Sequence, residues 1–156
     1  MKPSIKKLCQ IGIVAAIYVV GTLPFAQFAY GQMQFRISEV LVLLCFFDKK
    51  YCWSLIIGCF IANLFSPLPL DLIFGTLHTV FSCLLIIKCK KLWLAGLMPM
   101  IPCFLIGYEI VQTFSIGMVV ATGWVMLGEF IVAFVIGVPL FYSLSHNKKF
   151  NNLVSS

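Results

Sequence analysis

Four carboxylates, Glu39, Asp71, Glu109 and Glu129, lie within or at the edges of apolar segments, as does the single arginine, Arg36. An ionisable side chain inside a hydrophobic span is costly, so its default reading is a functional site. Arg36 can neutralise one acid, either Glu39 three residues away or Asp71. One arginine against four acids leaves three carboxylates without a cationic side-chain partner. Those three must be protonated, reach water or be kept for a ligand. With the amides of Gln34, Asn63 and Gln112, this surplus of acceptors suits a ligand rich in N–H donors or carrying positive charge. A carboxylate can accept two parallel hydrogen bonds from a guanine-like N1–H and exocyclic amine. Phe35, Tyr108, Trp124 and Phe74 offer ring faces on which a flat molecule would stack.

The spacing of these residues is helical. Asp71, Gly75, His78 and Ser82 follow i, i+4, i+7 and i+11, while Glu109, Gln112 and Thr113 follow i, i+3 and i+4. Each is a polar stripe on an apolar helix and must face the bundle interior or an aqueous cavity. Arg36 and Glu39 share a face and are expected to brace the first external loop. His78 is expected to be a hydrogen-bonded interior residue.

Other chemistries find no footing. The chain has no G-x-x-x-x-G-K-[ST] phosphate loop, no H-E-x-x-H and no Ser-His-Asp arrangement. Its histidines are His78 and His146, the latter in a basic tail. An enzyme is therefore not expected. The seven cysteines, Cys9, Cys45, Cys52, Cys59, Cys83, Cys89 and Cys103, show neither C-x-x-C nor zinc-ligand spacing. They read as small buried hydrophobes, with no disulfide framework and no metal site.

The elements that must position these groups are membrane spans. At 62% hydrophobic residues and a mean hydropathy of +1.06 over 156 residues, the chain is too apolar for a soluble domain. We expect an all-α integral membrane protein, a compact bundle of six transmembrane helices forming a single domain over residues 1–156. The apolar segments are 8–23, 35–47, 52–65, 70–87, 92–114 and 124–144, with 117–123 as the turn between the last two. Segments two and three are short for a crossing of about 20 residues. Pro99 and Pro102 should kink the fifth. The N-terminus superficially resembles a signal peptide but continues into equally apolar chain, so it reads as a retained first span.

The lysines cluster at 2, 6 and 7, at 49 and 50, at 88, 90 and 91, and at 148 and 149. By the positive-inside rule, all ten agree with six spans and both termini in the cytoplasm. This flanking pattern also argues against nucleic acid as the reason for the net charge of +6. The same topology places Arg36, Glu39, Asn63, Asp71, Glu109 and Glu129 toward the outer half of the bundle. Gly12, Ala15 and Ala16 form a small-residue patch on the first span, fit for close packing inside the bundle or against another membrane subunit.

The stretch Tyr30-Gly31-Gln32-Met33-Gln34-Phe35-Arg36-Ile37-Ser38-Glu39 resembles the YGxxQFRxSE segment of the QueT family of queuosine-precursor transporters. So do residues 58–67, Asp71 with Phe74-Gly75-Thr76, and Gly128-Glu129 with Gly137-Val138-Pro139-Leu140. The resemblance implies an S-component of an energy-coupling factor (ECF) transporter. Such a protein captures a vitamin-like molecule outside the cell and works with a transmembrane coupling subunit and two ATPases. It implies no cofactor in this chain, ATP being used by the partner subunits, and a bacterial cytoplasmic membrane location. The implied substrates are 7-deazaguanines: the 7-cyano and 7-aminomethyl precursors, or queuine. Combined with the residue chemistry, it points to Glu109, Glu129, Asp71, Asn63, Gln34, Gln112, Trp124 and Phe35 for substrate binding. Gly12, Ala15 and Ala16 resemble the small-residue motif that S-components set against the coupling subunit, with Gly12 where Ala is usual. The alternatives are an S-component for another flat, nitrogen-rich vitamin, or a non-transporting structural membrane subunit whose acids pair internally.

Overall fold

The computed structural model describes residues 5–31 and 33–154, so Lys2 of the first lysine cluster and Gln32 of the loop segment lie outside the described residues. The described residues form helices and no strand. Three helices are long and apolar enough to cross a membrane: α1 (Ile5–Ala29), α5 (Leu92–Phe114) and α6 (Met118–Ser145). Between them lie three shorter apolar helices, α2 (Ile37–Phe47), α3 (Tyr51–Asn63) and α4 (Asp71–Ile86), and a terminal α7 (Lys148–Val154) follows.

Proline accounts for two irregularities. Pro24 stands in a 3-10 turn at Leu23–Phe25 that bends α1. Pro99 does the same within α5 at Met98–Met100, and the helix resumes at Cys103 after Pro102, as a missing N–H in a helix interior requires. Two further irregularities face each other. The first seven residues of α2, Ile37–Leu43, are a 3-10 helix, long for that type, and it packs on a π-helical stretch of α6, Phe130–Gly137. The turn expected over 117–123 is shorter than its glycines suggested. Gly117 is extended, and α6 starts at Met118 and runs through Gly123, where an added Cβ would meet nothing within 4 Å.

Residue pairs define the arrangement. Tyr18 of α1 lies against Gly58 of α3, and Gln10 and Tyr51 both bond the carbonyls of α7, so α1 and α3 run parallel. Cys59 beside Thr79 and Asn63 beside Asp71 make α4 antiparallel to α3. His78 meets Pro99, Gly107 meets Thr122 and Gly96 meets Val138, which extends the antiparallel order through α5 and α6. The short, buried α2 closes the bundle against α1, α6, α3 and α4. This up-and-down order puts the described lysine clusters at one end and the loops 30–36, 64–70 and 115–117 at the other.

The burial is inverted relative to a soluble protein. Ile13, Val20, Trp53, Phe81 and Val119 face outward, whereas Thr22, Arg36, Glu39, Asn63, Asp71, His78, Glu109 and Glu129 are inside. An apolar exterior that encloses these polar groups beside an apolar core around Tyr18, Leu43, Leu55 and Ile86 is what a hydrocarbon solvent selects.

Candidate functional site

The loop between α1 and α2 is held at several points. Gln34 takes a left-handed backbone (φ 46°), Phe35 donates its N–H to the Phe28 carbonyl at 2.9 Å, and Tyr30 Oη donates to the Ala62 carbonyl at 2.6 Å. A non-glycine residue in that region is uncommon and collects at functional sites. The loop also lies on Gly128, where an added Cβ would sit 2.7 Å from the Met33 carbonyl. Only glycine lets α6 approach so closely, and this brings Gln34 into the bundle beside the helix that carries Glu129.

Arg36, the residue preceding α2, turns its guanidinium to Asp71 at the start of α4. Nη2 donates to Oδ1 and Oδ2, each at 2.6 Å, and also to Gln34 Oε1 at 3.2 Å. Nε donates to the Ala29 carbonyl at 3.2 Å, and the group lies 5.2 Å from the Tyr30 ring centre. Gly75 makes room for this assembly, since a Cβ there would sit 2.6 Å from Asp71 Oδ1 and 2.7 Å from Asn63 Nδ2. Asn63 donates to the Asp71 backbone carbonyl at 2.9 Å and leaves its own Oδ1 unpartnered.

Glu39 does not bond Arg36. It accepts the Tyr18 hydroxyl at 2.5 Å on Oε1, and its Oε2 is unpartnered. The divergence follows from the backbone: Arg36 is extended (φ −99°, ψ 101°) and outside the helix, so the shared face expected of residues three apart does not exist. Glu39 instead joins His78 and Glu129, with ligand atoms of all three within 4.8 Å of one another. His78 Nε2 lies 3.0 Å from the Pro99 carbonyl; donating there leaves Nδ1 as an acceptor. The α4 stripe of Asp71, Gly75, His78 and Ser82 is buried throughout, as its spacing predicts.

Glu109 is the most isolated acid. It is fully buried, neither carboxylate oxygen has a partner, and it is within electrostatic reach of Asp71 and Arg36. A ring contact between Phe74 and Tyr108, 5.4 Å between centres, holds α4 and α5 together one position away. Gln34 Nε2, Asn63 Oδ1, Glu39 Oε2, Glu129 Oε2 and both Glu109 oxygens are buried without a partner, one donor group against five acceptors. The hydroxyls of Ser54, Thr76 and Ser82, which can donate or accept, are unpartnered as well. Buried polar atoms in folded proteins are otherwise nearly always satisfied.

The expected site residues thus divide. Glu109, Glu129, Asn63, Gln34 and Asp71 are all buried inside the bundle: Asn63 contacts Asp71, Gln34 shares Arg36 with Asp71, and Glu129 lies with Glu39 and His78. Gln112 and Trp124 do not join them; both are exposed on the bundle exterior. Thr113 bonds the Glu109 carbonyl of its own helix, so the expected α5 stripe reduces to Glu109. Phe35 is half-buried and packs on the main apolar core. Glu39 moves from a bracing role into the polar interior, which its spacing from Arg36 could not reveal. On α1, Gly12, Ala15 and Ala16 border an open groove of about 400 Å³ with Val20, Ile57 and Ile61, Ala15 being the buried one with its carbonyl against Gly58.

A family model described as the QueT transporter matches residues 8–146. Among curated proteins, the chain is 44% identical over 72 residues to the queuosine precursor transporter QueT of Lactococcus lactis subsp. cremoris (strain MG1363). That alignment covers 45% of this chain and 43% of the relative's length. No solved structure matches. The family match runs from the first turn of α1 to the end of α6 and takes in every residue of the buried polar cluster, so the chain belongs to the QueT transporter family.

Proposed function

We propose that this protein is the substrate-binding S-component of an ECF-type importer. It takes up a queuosine precursor, a 7-deazaguanine such as the 7-cyano or 7-aminomethyl compound or queuine. Six spans place the lysine-bearing end and both termini in the cytoplasm and the loop 30–36 outside. A transmembrane coupling subunit docks on the α1 groove at Gly12, Ala15 and Ala16, and two ATPase subunits use the ATP. The relative's name supports the substrate class, and the lysine distribution supports the orientation.

The observation that carries this reading is the set of unpartnered buried atoms, with Glu109 foremost. A guanine-like edge presents several N–H donors and one carbonyl acceptor, the complement of the Glu109, Glu39, Glu129 and Asn63 acceptors and the Gln34 amide N–H. Glu109 takes the N1–H and amine edge, Gln34 Nε2 donates to the ring carbonyl, and Asn63 Oδ1 accepts a further N–H. Glu39 and Glu129, beside His78, receive a positively charged aminomethyl substituent.

Calorimetric or fluorescence titration of the purified protein with 7-deazaguanines tests the assignment. Hydrogen bonds to a charged group contribute about 1.5–3 kcal/mol each, so Glu109→Gln should weaken affinity about tenfold to a hundredfold. Unchanged affinity in both Glu109→Gln and Glu129→Gln would overturn the site. Thermal stabilisation by a different vitamin, with none by a deazaguanine, would overturn the substrate class.

A further inference from the structure

Three of the seven cysteines converge at the lysine-bearing end of the bundle. Cys45 lies in the last turn of α2, Cys52 in the first turn of α3 and Cys83 near the end of α4. Cys52 Sγ is 3.1 Å from Cys45 Sγ, Cys45 Sγ is 3.5 Å from Cys83 Sγ, and all three sulfurs lie within 4.8 Å of one another. The other interior thiols behave differently. Cys59, Cys89 and Cys103 each meet a backbone carbonyl, of Gly75, Leu85 and Pro99 respectively. A buried cysteine acting as a small hydrophobe is satisfied in that local way, whereas these three are aimed at a common point.

We infer that Cys45, Cys52 and Cys83 form a thiolate site for one soft, thiophilic metal ion, Zn(II) or Cu(I). Metal–sulfur bonds of about 2.3 Å require sulfurs about 3.8–4.0 Å apart in tetrahedral or trigonal geometry. The Cys45–Cys52 and Cys45–Cys83 separations, 3.1 and 3.5 Å, are shorter, so an ion would enter by spreading the sulfurs by less than about 1 Å. Soft thiolate sets of this kind select zinc and cuprous ions over hard cations. Cys45 and Cys83 are 1% exposed, while Cys52 is half-buried and is the side from which an ion, and water as a fourth ligand, would enter. Asp48, Lys49 and Lys50 lie on the turn that Cys45 and Cys52 flank; Lys50 pairs with Asp48 at 3.4 Å, which leaves Lys49 as the net positive charge near the anionic metal–thiolate centre. On binding, each thiol gives its proton to water and its sulfur lone pair to the metal; nothing is oxidised or reduced. The ion would close the turn between α2 and α3 and tie it to α4, on the face opposite the loop that admits substrate.

The test uses the full-length protein in detergent, reduced and stripped with chelator. Zn(II), or Cu(I) under anaerobic conditions, is titrated against a chromophoric chelator, and bound metal is counted by mass spectrometry. One equivalent should bind and raise the melting temperature. Cys52→Ser, at the half-exposed position, should weaken binding at least tenfold, while Cys9→Ser, at an exposed site elsewhere, should not. Equal binding by wild type and Cys52→Ser, no stoichiometric uptake of either ion, or isolation of the protein with Cys45 joined to Cys52 as a disulfide would each overturn the inference. Should Cys45→Ser or Cys83→Ser fail to fold, Cys52→Ser alone decides it.

Discussion

Removing both partners of the Arg36–Asp71 pair should destabilise the protein by clearly less than the sum of the two single removals. Arg36→Met keeps the length of the side chain but strips Asp71, which has no exposure, of two hydrogen bonds of 2.6 Å. Hydrogen bonds to charged groups contribute about 1.5–3 kcal/mol each, which gives about 3–6 kcal/mol for the two. Breaking a buried pair from one side costs about 3–5 kcal/mol, so the two routes agree. Asp71→Asn leaves the guanidinium with its bonds to Gln34 and Ala29 and should cost less, about 2–3 kcal/mol. The double variant leaves neither charge uncompensated and should recover about 2 kcal/mol relative to the sum of the singles. For a chain of this size, that recovery corresponds to about 4–8 °C in Tm. A thiol-reactive dye reports unfolding directly, because Cys45, Cys59, Cys83 and Cys103 are buried in the native state. Additive effects of the two substitutions would refute the pairing and return Arg36 to Glu39 or to solvent.

Further outcomes follow from individual contacts. Gly75→Ala would drive a Cβ into Asp71 and Asn63, which the ion pair holds in place, and should cost about 1–3 kcal/mol; Gly12→Ala, with nothing within 4 Å, should stay within about 0.5 kcal/mol. Thermal unfolding of both checks this. Tyr18→Phe removes the one donor bonded to Glu39 and should destabilise by about 1–3 kcal/mol, measured the same way. Gly128→Ala places a Cβ 2.7 Å from the Met33 carbonyl and should push the loop 30–36 off α6, so ligand association and dissociation rates should change by stopped flow while the fold persists by circular dichroism. Gly12→Leu should block the α1 groove and abolish co-purification of the coupling subunit without altering ligand affinity.

Much of the architecture was legible because it rests on local chemistry. The α4 stripe is a matter of helical spacing, and its burial requires only that a polar face in an apolar helix turn inward. Pro99 and Pro102 interrupt α5 because a proline lacks an N–H wherever it stands. Glycine was less reliable. Gly117 and Gly123 suggested a turn across the whole stretch, yet an exposed glycine costs a helix only about 1 kcal/mol, and the apolar residues from Met118 onward carry α6 through it. Gln112 and Trp124 were read as site residues from residue type and proximity to acids. Gln112 instead falls in the exposed end of α5, where 112–115 are all exposed, and the rotation of α6 that buries Ala121 and Val125 leaves Trp124 outside.

The sequence by itself determined an apolar, all-helical chain with acids buried among its segments and lysines confined to the connections at one end. Composition, helical period and charge placement are properties of each segment, and they survive whatever the neighbours are. Only the tertiary structure decided who meets whom. Arg36 finds Asp71, 35 residues on, rather than Glu39; Glu39 finds Tyr18; and Cys45 finds Cys83, 38 residues on. Those choices depend on the rotation of each helix about its axis and on the close approaches that Gly58, Gly75 and Gly128 permit. The outcome is that Asp71 is neutralised by Arg36, while Glu109, fully buried with both oxygens unpartnered, is left to meet a ligand.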